Sequence, residues 1–147
     1  MDSNLPIDLN RVFVDASVLF AASHSKRGFA RDLIKLGLRG QFTLVLSPFV
    51  IQETRRNLLS KAPEALSLFE AFIAPGLVHV VQPPPALVEQ VASVIILKDA
   101  PVVAGAIYAG AILVATYDRK HLLSKREGIL AAFGVTVATP GEILAGL

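Results

Sequence analysis

The stretch RVFVDASVLF, Arg11 to Phe20, joins a strand-like run to a helix-like run across a single acid. Val12, Phe13 and Val14 are apolar, β-prone and long enough for a short buried strand. Asp15 stands at the carboxyl end of that run, and Ala16 to Leu19 turn toward helical composition. In an open parallel α/β sheet, ligands bind just beyond the carboxyl ends of the strands. A carboxylate at this position is either an N-cap that satisfies orphan backbone N–H groups or a metal ligand. The stretch by itself leaves both readings open.

Working outward, the same alternation repeats. The first helix should end near Ala22, and a second is expected over 28–38, with Phe29, Leu33, Ile34 and Leu36 as buried positions. Phe42 to Leu46 reads as a second strand. Ser47-Pro48 then opens a helix as N-cap and first helical residue, with Val50, Ile51, Thr54, Leu58 and Leu59 spaced for one buried face. Pro63 starts a further helix ending at Pro75-Gly76. Leu77 to Val81 is a third strand, and Pro83 to Pro85 form a stiff linker into a helix over 86–97, with Leu87, Val91, Val94 and Ile95 on one face. Asp99 and Pro101 open a nearly all-apolar helix ending at Gly110. Ile112 to Ala115 is a strand, followed by Thr116-Tyr117-Asp118. A short helical piece over 119–124, a turn of helix over 129–133, a last strand over 135–138 and a helix from Pro140 through Leu144 complete the chain. Strands alternating with helices predict a three-layer α/β/α sandwich around a parallel sheet of four to five strands, with right-handed crossovers. No repeat or second domain interrupts residues 1–147.

Composition is consistent with this class. A chain of 147 residues with 53% hydrophobic content suits one domain with covered sheet faces. It has no Cys, so disulfides and thiolate metal sites are excluded. Met1 to Leu9 lacks a basic region followed by an apolar run, so no signal peptide is expected. Val91 to Tyr117 is apolar, but Lys98, Asp99 and Pro101 break it and no membrane span is expected. The net charge of +2 excludes a nucleic-acid reading based on total charge alone. The basic residues do cluster, at Arg55-Arg56, Arg119-Lys120 and Lys125-Arg126. No GxGxxG, P-loop or G-x-S-x-G sequence is present.

Of 12 acidic residues, Asp15, Glu53, Asp99 and Asp118 stand in apolar surroundings next to strand ends or helix starts. Buried carboxylates that gather repel one another unless a cation lies among them. Oxygen ligands without Cys suit Mg²⁺ or Mn²⁺.

With these four acids the chain resembles the PIN domain, the metal-dependent ribonuclease fold of VapC-like toxins. The resemblance rests on Asp15 with Ser17 after the first strand and on Glu53 early in the helix after the second. Asp99 before an Ala/Pro-rich buried helix and Thr116-x-Asp118 after the next strand complete it. It covers Arg11 to Thr139. Arg119, Lys120 and His121 stand where many members carry a further acid. The resemblance implies hydrolysis of RNA phosphodiester bonds by one or two Mg²⁺ or Mn²⁺ ions held by Asp15, Asp99, Asp118 and Glu53. Ser17 and Thr116 would orient the carboxylates, while Arg55, Arg56, Arg119, Lys120 and His121 are candidate RNA contacts. A small antitoxin partner, a homodimer and a cytoplasmic setting are implied as well. A non-catalytic PIN scaffold and a structure-specific DNA nuclease are the alternatives.

Overall fold

The computed structural model describes residues 11–96 and 98–146; the Met1–Leu9 leader reading and the helix end at Leu97 lie outside them. Five strands form one parallel sheet: β1 (Arg11–Val14), β2 (Thr43–Leu46), β3 (His79–Val80), β4 (Leu113–Ala115) and β5 (Thr136–Ala138). Their order is β3-β2-β1-β4-β5. In register, Phe13 stands between Val45 and Val114, and Val114 faces Val137. Between the strands run α1 (Ala16–His24), α2 (Phe29–Leu38), α3 (Pro48–Lys61), α4 (Leu66–Phe72), α5 (Pro85–Ala92), α6 (Ala100–Ala109) and α7 (Arg126–Phe133). The helix α8 (Pro140–Gly146) follows β5. The sheet is the middle layer. Right-handed crossovers put α1 to α4 on one face and α5 to α7 on the other. In agreement, α1 packs on α2, α3 and α4, α5 packs on α6, and α8 joins the first group through α2.

The central strands are buried on both faces, as a covered parallel sheet requires. The small residues of α6 have a packing reason. A Cβ added at Gly105 would stand 2.6 Å from Cε2 of Phe13, so only glycine lets this helix settle onto the ring of the central strand.

Several details depart from the sequence expectations. β3 shrinks to two residues, because it is an edge strand held by β2 alone. The helix expected from Pro63 begins as a 3-10 turn over Pro63–Ala65. The piece expected over 119–124 is a turn followed by a 3-10 segment, Leu123–Lys125, that runs into α7. Leu59, Val94 and Phe29, expected inside, are exposed. Val94 falls beyond the end of α5. Leu59 lies on an exposed flank of α3, and Phe29 lies on a flank of α2 that α8 covers on one side only.

All strands being parallel, their carboxyl ends share one edge of the sheet. The chain leaves β1 toward β2 on one side, while β4 enters on the other. The crevice between the carboxyl ends of β1 and β4 is therefore the topological switch point, where open α/β sheets place ligands.

Candidate metal centre

Asp15 and Thr116 flank that crevice because each directly follows one of the two central strands. The backbone ladders carry on past the strands: Asp15 N donates to Ala115 O at 3.0 Å, and Thr116 N donates to Ala138 O at 3.0 Å. Asp15 also begins α1, and its Oδ1 accepts the Ala16 N–H at 2.8 Å. Its Oδ2 accepts two hydroxyls, Thr116 Oγ1 at 2.7 Å and Ser17 Oγ at 3.1 Å. Those hydroxyls in turn accept backbone N–H groups, Asp118 N on Thr116 Oγ1 and Tyr117 N on Ser17 Oγ, each at 2.9 Å. Each hydroxyl spends its one hydrogen on Asp15 and a lone pair on the backbone. The result is a short chain of mutually polarising hydrogen bonds that ties residues 116–118 to the start of α1.

That chain aims Asp118. Its Oδ1 accepts the His121 N–H at 3.0 Å, and its Oδ2 lies 3.4 Å from His121 Nδ1. Asp99 arrives from the other side of the crevice, at the head of α6. Although it occupies the cap position, its side chain makes no capping bond. Asp99 is only 7% exposed, and its Oδ2 is buried with no hydrogen-bond partner. Leaving such an oxygen unsatisfied is costly, so the capping account of this residue fails on geometry. One ligand atom from each of Asp99, Asp118 and His121 lies within 4.8 Å of the others.

Glu53 is half-buried on α3, and its surroundings are those of the same site. Burial raises its pKa above the usual 4.5. The charge of Asp15 pushes it further, Arg56 and Lys98 pull it back, and Asp99 pushes again. Burial also raises Asp15 above 3.8, against the pull of Thr116, Ala16 and Ser17 and with a push from Asp118. Asp99 is raised by burial too; His121 opposes this, Asp118 adds to it, and Lys98 and Lys125 oppose it. The acids thus press on one another, and a cation among them would relieve the repulsion. With an orphaned carboxylate oxygen already in place, Asp99 and Asp118 offer oxygen donors that suit a hard divalent ion, and His121 adds a nitrogen; Asp15 and Glu53, expected as ligands, are not in this three-residue group.

The basic candidates separate. Arg55 grips Glu70 on α4 with Nε–Oε2 at 2.6 Å and Nη2–Oε1 at 2.7 Å, a fork that staples two helices. Arg56 bears on Glu53 instead. Arg119 and Lys120 are exposed just past Asp118. Arg119 lines a polar cavity of about 450 Å³ with Ser124, Arg126, Thr139 and Glu142. His121, expected from the sequence as an RNA contact, lies with Asp99 and Asp118 in the group that could hold an ion. The only available signal was its position three residues after Asp118, one helical turn on. Lys98 and Lys125, legible in the sequence as a break in an apolar run and as part of a basic cluster, both bear on Asp99.

Comparison with known proteins gives a family and a shared fold. The family model described as PIN domain matches residues 12–127. Against curated proteins there is no match. Among solved structures the fold resembles VapC20 of Mycobacterium tuberculosis, described as a Sarcin-Ricin loop cleaving toxin, at 20% identity and TM-score 0.58, covering 74% of this chain and 91% of that one. VapBC2 of Rickettsia felis, solved bound to a DNA fragment from its promoter, aligns at 11% identity and TM-score 0.63, covering 88% and 98%. PAE2754 of Pyrobaculum aerophilum aligns at 20% identity and TM-score 0.60, covering 92% and 93%. With the family model running from β1 through β4 and over all four acids, the chain belongs to the PIN domain family.

Proposed function

We propose that this protein is an Mg²⁺- or Mn²⁺-dependent endoribonuclease and the toxin component of a type II toxin–antitoxin pair. The observation that carries the metal requirement is Asp99, whose Oδ2 is buried without a partner and which has a carboxylate oxygen within 4.8 Å of ligand atoms of Asp118 and His121. Asp99 and Asp118 would hold the ion, and Asp15 and Glu53 would join them directly or through water. A divalent ion so held lowers the pKa of water and offsets charge on the phosphate and the leaving oxygen. The chain's own residues do the positioning. Thr116 and Ser17 keep Asp15 from rotating, and Thr116 fixes the backbone that carries Asp118. Arg119 and Lys120 are placed to meet the substrate's phosphates. An antitoxin partner and a homodimer belong to the same reading. It draws support from the toxin that shares this fold and from the family itself.

Asp99→Asn tests it. Asn keeps the shape of the side chain and removes one negative charge. The wild type should cut RNA with Mg²⁺ or Mn²⁺ and stop in EDTA, while Asp99→Asn should fold normally by circular dichroism and cut at near-background rate. A folded Asp99→Asn protein that cuts like the wild type removes Asp99 from the metal site. A wild type inert on both structured and unstructured RNA points to the non-catalytic scaffold.

A further inference from the structure

Large aromatic side chains stay exposed only at a cost in unburied apolar surface, and two of them stand beside the acidic crevice. Phe29 is 59% exposed at the first position of α2, and Tyr117 is 38% exposed immediately before Asp118. Both are held in place. One side of the Phe29 ring rests on α8, where a Cβ on Gly141 would stand 2.9 Å from Cδ2. The Tyr117 backbone is tied to Ser17 at 2.9 Å, and its hydroxyl lies by the backbone amide of Ala30, the residue after Phe29. Neither ring stacks on another: among the described residues the one ring–ring contact joins Phe20 and His24. The surroundings are basic. Lys26 and Arg27 are exposed in the loop just before Phe29, and Arg119 follows Asp118. Among the described residues no ion pair engages these three.

Rigid aromatic faces beside free cations are what single-stranded nucleic acid needs, bases stacking on the rings while the backbone follows the charge. A duplex keeps its bases stacked on each other and offers nothing to such rings. We infer that Phe29 and Tyr117 form a stacking platform for an unpaired base next to the phosphate held at the acidic crevice, which confines the protein to single-stranded RNA. This inference rests on the nuclease reading for what the crevice does, but the platform can be measured without cleavage.

The test is fluorescence anisotropy in EDTA with a labelled single-stranded RNA oligomer, the same oligomer made abasic one position at a time, and its duplex. The proteins are wild type, Phe29→Leu, Phe29→Trp and Tyr117→Leu, each checked by circular dichroism. Leu keeps the apolar contact with Gly141 and gives up the flat face. Phe29→Leu and Tyr117→Leu should each weaken binding of the single strand about tenfold, Phe29→Trp should retain it, and the duplex should bind weakly throughout. One abasic position should reproduce the loss in the wild type, and Phe29→Leu should then add nothing further, because the two changes remove the same contact. Wild-type affinity in both Leu variants, equal losses on every abasic oligomer, or no wild-type binding of single strands would overturn the platform. A platform that passes while the wild type fails to cleave with either metal would instead remove the nuclease reading alone. Unchanged RNA binding with loss of an antitoxin's grip would assign the rings to a protein partner.

Discussion

Replacing Thr116 by Val is nearly isosteric and takes away one oxygen at the centre of the site. Two hydrogen bonds go with it, the 2.7 Å donation to Asp15 Oδ2 and the 2.9 Å acceptance from Asp118 N. The first is made to a buried carboxylate, and bonds to charged groups are worth about 1.5–3 kcal/mol. The second leaves an N–H at a half-buried residue that water can partly satisfy, which adds roughly 1 kcal/mol. The new methyl group is fully buried and returns about 0.8 kcal/mol. The net loss is roughly 2–3 kcal/mol, or a fall of about 10 °C in Tm for a domain of this size. Without the hydroxyl, the Asp15 pKa rises further. The penalty is then full where Asp15 is charged and shrinks as pH falls through its raised folded value, where the carboxyl takes up a proton. Urea unfolding in EDTA at pH 8 and pH 5 measures this, with Thr116→Ser as control. Ser keeps the oxygen and should lose only about 1 kcal/mol for its missing methyl. Cleavage by Thr116→Val should fall about 100-fold, the scale of an ångström's misplacement. The hydroxyl network has no such role if Thr116→Val is as stable as the wild type, if Thr116→Ser is equally damaged, or if the loss is the same at both pH values.

Because Asp15, Glu53 and Asp99 are all raised, the metal-free fold binds more protons than the unfolded chain over the window between the two sets of values. Their contribution is full below about 4 and is lost as pH rises through the folded values. The urea midpoint in EDTA should therefore climb from pH 8 to pH 5. Glu70 and Glu142 are pulled down and act in the opposite sense, but they are largely exposed and count for less; a midpoint that only falls on acidification contradicts the crowded-acid account. Mn²⁺ at about 100 times its Kd should add roughly 2.7 kcal/mol to the wild type and much less to Asp15→Asn; equal gains would place the ion elsewhere. Gly105→Ala should cost about 1–3 kcal/mol, since its Cβ meets the Phe13 ring at 2.6 Å; a neutral result in thermal melts would mean that α6 can lift off the sheet without loss.

Much of this protein was legible from local pattern. Val12 to Val14 and Leu113 to Ala115 are continuous apolar runs that only a strand covered on both faces can use. Ser47-Pro48 marks a helix start through its own chemistry, and Ser47 Oγ does accept the Val50 N–H. The four acids stood out as charges in apolar surroundings. The parallel class then follows from strands alternating with helices, whereas the switch point between β1 and β4 needs the strand order that only the fold supplies. What the sequence could not supply was whatever depends on neighbours distant in the chain. Thr116 and Asp15 meet across 101 positions because β1 and β4 pair, and no local rule specifies which hydroxyl reaches which oxygen. Glu70 takes the Arg55 fork because α4 folds back along α3, so a residue that reads as a free cation is not one. Asp99 reads from the sequence as the residue that opens a helix, and only the structure shows that its side chain withholds the capping bond. Phe29 reads as core by helical spacing, yet it lies on the outer flank of α2 because α8 covers only one side of it. Periodicity states that a face is apolar, whereas only the packed chain decides which faces are covered.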